Sequence, residues 1–166
     1  MSSKPHKVIT EKEYQALVEK VLNESYTFRE VQGISDESMD AIYSIAYSLY
    51  QNSKYEDAHK VFQFLCFYDH YEKRYWLGLA ACRQMLKEYE GAVDAYGFAA
   101  FLDTDDPKIP LYAADCLLAS GDKERAQHAL ESVVEFAGNK KDHKSLKERA
   151  QNILGLIQDD NKKGGK

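Results

Sequence analysis

Two observations predict an all-α fold in which helix-turn-helix pairs stack into a concave α-solenoid. Small residues recur every 34 residues: Ala46, Ala80 and Ala114 on one rung, Ala58, Ala92 and Ala126 on a second. Short joints recur at the same interval, as Asn52-Ser53-Lys54, Leu86-Lys87-Glu88 and Ser120-Gly121-Asp122. A period of this length is that of the tetratricopeptide repeat, whose units bury their apolar faces only against their neighbours. The expected layout is a disordered lead (1–9), an N-terminal amphipathic helix and connector (10–38), three tetratricopeptide repeats (39–72, 73–106 and 107–140), a C-terminal capping helix (141–158) and a disordered tail (159–166).

In chain order, Thr10-Glu11-Lys12-Glu13 has the spacing of a capping box, in which threonine and glutamate each satisfy a backbone N–H at a helix start. The helix that follows carries Tyr14, Leu17, Val18, Val21 and Leu22 as one apolar stripe, with Lys12, Gln15, Glu19, Lys20 and Asn23 opposite. It lies outside the repeat register, so its stripe either folds back on the array or meets its counterpart in a second chain. Within Thr27 to Ser35, Val31-Gln32-Gly33-Ile34 reads as a non-helical connector turning at Gly33, with Ser35 as N-cap of the first repeat helix.

In repeat one, Ile42, Ile45, Ala46 and Leu49 supply a core face, answered by Ala58, Phe62 and Leu65. Repeat two comes nearest the motif, with Trp76-x-x-Leu79-Ala80 and then Ala92-x-x-x-Tyr96; Arg83 replaces the motif's tyrosine. Repeat three offers Ala113, Ala114, Leu117, Ala126, Leu130 and Val133. The alanine rungs have a steric cause, since paired helices approach closely only where neither carries bulk. Leu102 to Pro107 forms an inter-repeat turn in which Asp106 caps and Pro107 opens the next helix. The turn lacks the glycine and distal glutamate of a calcium loop. Asp142 is the expected cap of a last helix bearing Leu146, Ala150, Ile153, Leu154 and Ile157.

Composition narrows the function. A net charge of −5 and a pI near 5.6 argue against a nucleic-acid partner. No apolar run is long enough to enter a membrane directly, and Met1 to Thr10 contains no signal-type segment, so a cytoplasmic location is expected. Cys66, Cys82 and Cys116 read as buried reduced thiols used as small hydrophobes. The five histidines are scattered, no catalytic constellation or glycine-rich phosphate loop occurs, and no enzyme, metal or cofactor is expected.

What the core does not require is tyrosine, of which the chain has 12. Tyr43, Tyr47 and Tyr50 form a second stripe on the first helix of repeat one, directed away from its core face. The same register yields Leu77, Ala81 and Gln84 in repeat two, then Leu111, Asp115 and Leu118 in repeat three. Together they describe a groove floor, aromatic at one end and aliphatic beyond, suited to an extended peptide with hydrophobic side chains. The alternative is that the tyrosines pack against the N-terminal helix.

Several runs are similar to the LcrH/SycD-type class II chaperones of bacterial type III secretion. They are Ile45-Ala46-Tyr47 with Tyr50, Lys54 to Ala58, Phe64 to Tyr71 and Arg74 to Gln84, within a likeness spanning about 31 to 136. The resemblance implies a bacterial cytoplasmic chaperone that holds an N-terminal segment of hydrophobic translocator proteins in its concave face. It also implies homodimerisation through the N-terminal region and, in some relatives, assistance to a transcriptional regulator. Tyr43, Tyr47 and Tyr50, with Leu77, Gln84, Leu111 and Asp115, stand at that family's groove positions. The competing expectation is a generic tetratricopeptide adaptor gripping a partner's C-terminal carboxylate, for which Arg74 and Lys108 are the nearby cations, or a scaffold whose groove holds its own N-terminal helix.

Overall fold

The structure is a computed structural model that describes residues 10–12, 15–16, 19–20 and 26–164, the last four of these as backbone. From residue 26 onward eight α-helices follow one another: α1 (Phe28–Gln32), α2 (Asp36–Gln51), α3 (Tyr55–Tyr68), α4 (Lys73–Met85), α5 (Tyr89–Leu102), α6 (Lys108–Ser120), α7 (Lys123–Ala137) and, after a 3₁₀ turn (Lys141–His143), α8 (Lys144–Gly164). Each of α2 to α7 packs on the next, the sequential stacking of a solenoid. Helices α2/α3, α4/α5 and α6/α7 are the three repeat pairs.

The rung alanines do what their size allows. Ala46, Ala58, Ala80, Ala92, Ala114 and Ala126 are all fully buried. The joints share a backbone device at one register position: Ser53 (φ 60°), Lys87 (φ 64°) and Gly121 (φ 88°) are left-handed. Only the third is a glycine, so the first two joints bear a cost of about 1–2 kcal/mol for L side chains in this region. Charge ties successive repeats together. Arg74 pairs with Asp40 (3.2 Å), Arg125 with Glu90 (3.0 Å) and Arg149 with Asp115 (2.9 Å), while Lys73 holds Asp103 (2.6 Å) and Asp106 (3.5 Å). Asp103 and Asp106 of the acidic inter-repeat turn are thus held by the start of α4, and Asp106 also accepts from the Lys108 N–H (3.0 Å).

The core has two parts. One runs through repeats one and two and is rich in rings, including Phe62, Tyr75 and Tyr96. The other gathers Leu111, Ala114, Leu130 and Val133 with Ala150 and Ile157 of α8 and is aliphatic. Cys66, Cys82 and Cys116 are buried, and loss of hydration pushes their thiols up to about 12, 12 and 11.

Four sequence expectations need correction. Residues 28–32 are helical, opened by a capping box in which the Thr27 N–H donates to Glu30 (2.7 Å) and the Glu30 N–H to Thr27 (3.3 Å). The T-x-x-E signal there was masked by the brevity of the helix. Ile45 is 57% exposed, because Ile42, Ala46 and Leu49 already fill the seam with α3. Asp142 lies inside the 3₁₀ turn rather than capping α8, and α8 itself continues past 158 to Gly164. By contrast Ser35 does cap α2, accepting from the Ser38 N–H at 3.3 Å, and Gly33 is left-handed at φ 66°. The proposed dimer stripe Tyr14, Leu17, Val18, Val21 and Leu22 lies outside the described residues, as does Glu13. On the polar face of the same segment, Lys12, Gln15, Glu19 and Lys20 are helical and exposed.

Candidate binding groove

The first helices of the pairs form one wall after another of a cavity of about 530 Å³, open to solvent. Helix α2 gives Tyr43, Tyr47 and Tyr50; α4 gives Arg74, Leu77, Gly78, Ala81, Gln84 and Met85; α6 gives Tyr112 and Asp115. From beneath, Phe62 of α3 and Tyr96 of α5 complete the floor. The floor is deep because residue 78 is glycine: a Cβ there would stand 2.2 Å from the Phe62 ring. Helical periodicity dictates the wall, since Tyr43, Tyr47 and Tyr50 recur at i, i+4, i+7 on one face of α2.

The rings are graded in exposure. Tyr47 is 49% exposed and stacks on Tyr43 at 6.3 Å. Tyr43 is half-buried, edge-on to Phe62 (5.9 Å) and tilted against Tyr75 (5.9 Å). Tyr50 meets Tyr55 edge-on at 5.3 Å. Burial raises the pKa of Tyr43, Tyr50 and Tyr96, so each is a neutral hydroxyl near pH 7. The tyrosines are therefore both packing and surface, with their ring bodies against the core and their faces toward the cavity.

The charged groups of the groove are committed within the protein. The Tyr96 hydroxyl donates to Gln84 Oε1 (2.9 Å). Arg74 lies 5.0 Å over the Tyr43 ring and is held by Glu72 (3.1 Å) and Asp40 (3.2 Å), which raise its pKa. Asp115 takes both of its hydrogen bonds from Arg149 Nη2, each at 2.9 Å. With the charged groups paired inside the protein, the cavity offers a ligand aromatic and aliphatic surface edged by tyrosine hydroxyls, which suits hydrophobic side chains on an extended chain.

Seven of the nine expected groove residues line the cavity: Tyr43, Tyr47, Tyr50, Leu77, Ala81, Gln84 and Asp115. Leu111 and Leu118 do not. Leu111 is 1% exposed and Leu118 packs beside it in the aliphatic core, because α8 lies over this end of the array. The sequence reading missed Phe62, Arg74, Gly78, Met85, Tyr96 and Tyr112 as lining residues. Gly78 carried a readable signal, a glycine inside a helix with no turn to explain it. The position of Arg83, where the motif has tyrosine, is also accounted for: its Nη1 donates to the Gly91 carbonyl (2.8 Å), joining α4 to α5.

Comparison with known proteins agrees with this architecture. The tetratricopeptide-repeat pattern matches residues 39–72 and 85–150. The chain is 40% identical to the low calcium response locus protein H of Yersinia pestis over 145 residues, 87% of this chain and 86% of that one. Among solved structures, a type III secretion complex from Aeromonas hydrophila superposes with a TM-score of 0.82 at 33% identity, covering 89% of this chain and 98% of the other. The Yersinia enterocolitica type III secretion chaperone SycD, solved with a peptide of the translocator YopD, superposes at 0.72 with 41% identity over 77% of this chain and 98% of that chain. With its repeats, its groove and its sequence in agreement over most of its length, the chain belongs to the LcrH/SycD family of type III secretion chaperones.

Proposed function

We propose that this protein is a cytoplasmic chaperone that holds an extended N-terminal segment of hydrophobic translocator proteins in the groove of α2, α4 and α6. One observation carries the reading: an open cavity of about 530 Å³ floored by rings and aliphatic side chains, whose charged neighbours are already paired. That a relative of 41% identity was solved with a translocator peptide supports the same assignment. Binding the unfolded cargo lowers its free concentration and so slows its aggregation by mass action. Tyr43, Tyr47, Tyr50, Leu77, Ala81 and Gln84 form the contact surface in this reading, and Tyr14, Leu17, Val18, Val21 and Leu22 join two copies. The carboxylate-clamp alternative is disfavoured because Arg74 is engaged by two carboxylates and a ring, and Lys108 lies outside the cavity.

The test is titration of a synthetic N-terminal translocator peptide into the protein and into the Tyr43→Ala/Tyr47→Ala variant. The expected loss is about tenfold or more in affinity, the size of an interface hot spot, with helical content retained. Unchanged affinity in a folded variant defeats the groove assignment. Preference for a peptide with a free acidic C-terminus would install the adaptor reading instead.

A further inference from the structure

The last helix opens with the wrong sign of charge for its own dipole. Each of α2 to α7 begins on a carboxylate at its cap or in its first turn, Glu72, Asp106 and Asp122 among them. There the partial positive charge of a helix N-terminus stabilises an anion. The first turn of α8 contains no acidic residue, and Lys144 and Lys147 stand in its place. A solenoid's terminal helix needs a polar outer face. That need explains the hydrophilicity of these positions but not their sign, which works against the helix.

The lysines of α8 join those of the preceding turn. Gly138 leads the chain out of α7 at φ 51°, and Lys140, Lys141, Lys144 and Lys147 then line one recess of about 300 Å³. Asn139 and Gln151 add amides to its lining, and Glu148 is its single carboxylate. Lys147 is occupied, its Nζ donating to the Gly138 carbonyl at 2.7 Å. Lys144 reaches Glu148 at 3.7 Å, in the i, i+4 order that supports a helix less well. Lys140 and Lys141 are exposed and form no ion pair among the described residues. The chain carries −5 overall, so the recess is a local reversal of sign. That reversal selects among anions. Charges at a protein surface act over about 8 Å at physiological salt, so a nucleic acid or an anionic membrane would bring most of its charge against acidic surface. A short acidic segment meets the lysines alone.

We infer that this recess docks a short acidic segment of a partner protein, with two or more carboxylates about one helical turn apart to match Lys144 and Lys147. The recess shares no lining residue with the groove, so a ligand in one leaves the contacts of the other free. The inference therefore stands apart from the groove reading. The test is fluorescence anisotropy of a labelled alanine-rich peptide of about three helical turns carrying glutamates at i, i+4. It is titrated with wild type, Lys140→Gln/Lys141→Gln and Lys54→Gln/Lys60→Gln, the last a control of equal net charge. Wild type and the control are expected to agree within about twofold, while the recess variant loses about tenfold with its melting curve unchanged. The same peptide with glutamine for glutamate is expected not to bind. Equal losses in the two lysine variants overturn the inference, because the attraction then belongs to net charge. So does a wild type that leaves the acidic peptide free. Tighter binding of a DNA duplex, or of phosphatidylglycerol vesicles, lost in the recess variant, would assign the lysines to a polyanion or a lipid surface instead. Tyr43→Ala/Tyr47→Ala is expected to bind the acidic peptide as wild type does; a loss there would move the peptide into the groove and defeat the assignment.

Discussion

Leu77 and Leu111 occupy one register position in successive repeats and have opposite fates. Leu77 lines the open groove, whereas Leu111 is 1% exposed inside the aliphatic core. Their own helices do not explain the difference. Helix α8 does, by bringing Leu146, Ala150, Ile153 and Leu154 to the end of the array and anchoring Arg149 on Asp115. A repeat helix offers its inner face to a ligand only where no later element has claimed that face. The same layer that terminates the solenoid also sets the length of the groove.

Exchanging the two leucines for alanine is the most direct way to break this comparison. Leu111→Ala should cost about 2–5 kcal/mol of stability, as a buried leucine does, read as an earlier denaturant midpoint, while the folded fraction keeps its peptide affinity. Leu77→Ala should reverse the pattern, with a small stability change and clearly weaker peptide binding by calorimetry. Gly78→Ala comes next. The Phe62 ring would have to move, at about 1–3 kcal/mol for an overpacked site, and the floor would rise; a crystal structure with Phe62 unmoved would show that the glycine is incidental. Arg149→Met should cost no more than about 1 kcal/mol, because the pair is half-exposed, and its effect should vanish in high salt.

The smallest effect is a pH dependence in repeat one. Burial, then the nearby Arg83 guanidinium, lowers the pKa of His59 below its usual value near 6.5. The unfolded chain therefore binds the proton more readily, and stability from this group is present above about pH 6.5 and lost as pH falls through the folded value. His59→Gln should flatten that slope in melts between pH 5 and 7, and an unchanged slope would assign it elsewhere.

Much of this was legible from the sequence because the repeat signal is steric and repeated. The alanine rungs named the helix seams, and the i, i+4, i+7 spacing of Tyr43, Tyr47 and Tyr50 named a wall of the groove. What escaped was whatever depends on a third element. Nothing within α6 tells that Leu111 and Leu118 will be covered by α8. The floor residues Phe62 and Tyr96 looked like packing because they are packing, and their exposure to the cavity follows from Gly78 on another helix. Left-handed Ser53 and Lys87 carried no local signal at all, unlike Gly121 at the same joint.

The three cysteines give the array a set of internal clocks. Cys66, Cys82 and Cys116 sit on α3, α4 and α6, each sealed from solvent and each with too little thiolate at neutral pH to react. Alkylation of each sulfur must wait for its own layer to open, so three labelling rates from one unmodified protein time the breathing of successive repeats. Cargo that clamps α2, α4 and α6 together would slow Cys82 and Cys116, and the order in which they slow would trace how far along the solenoid the bound chain reaches.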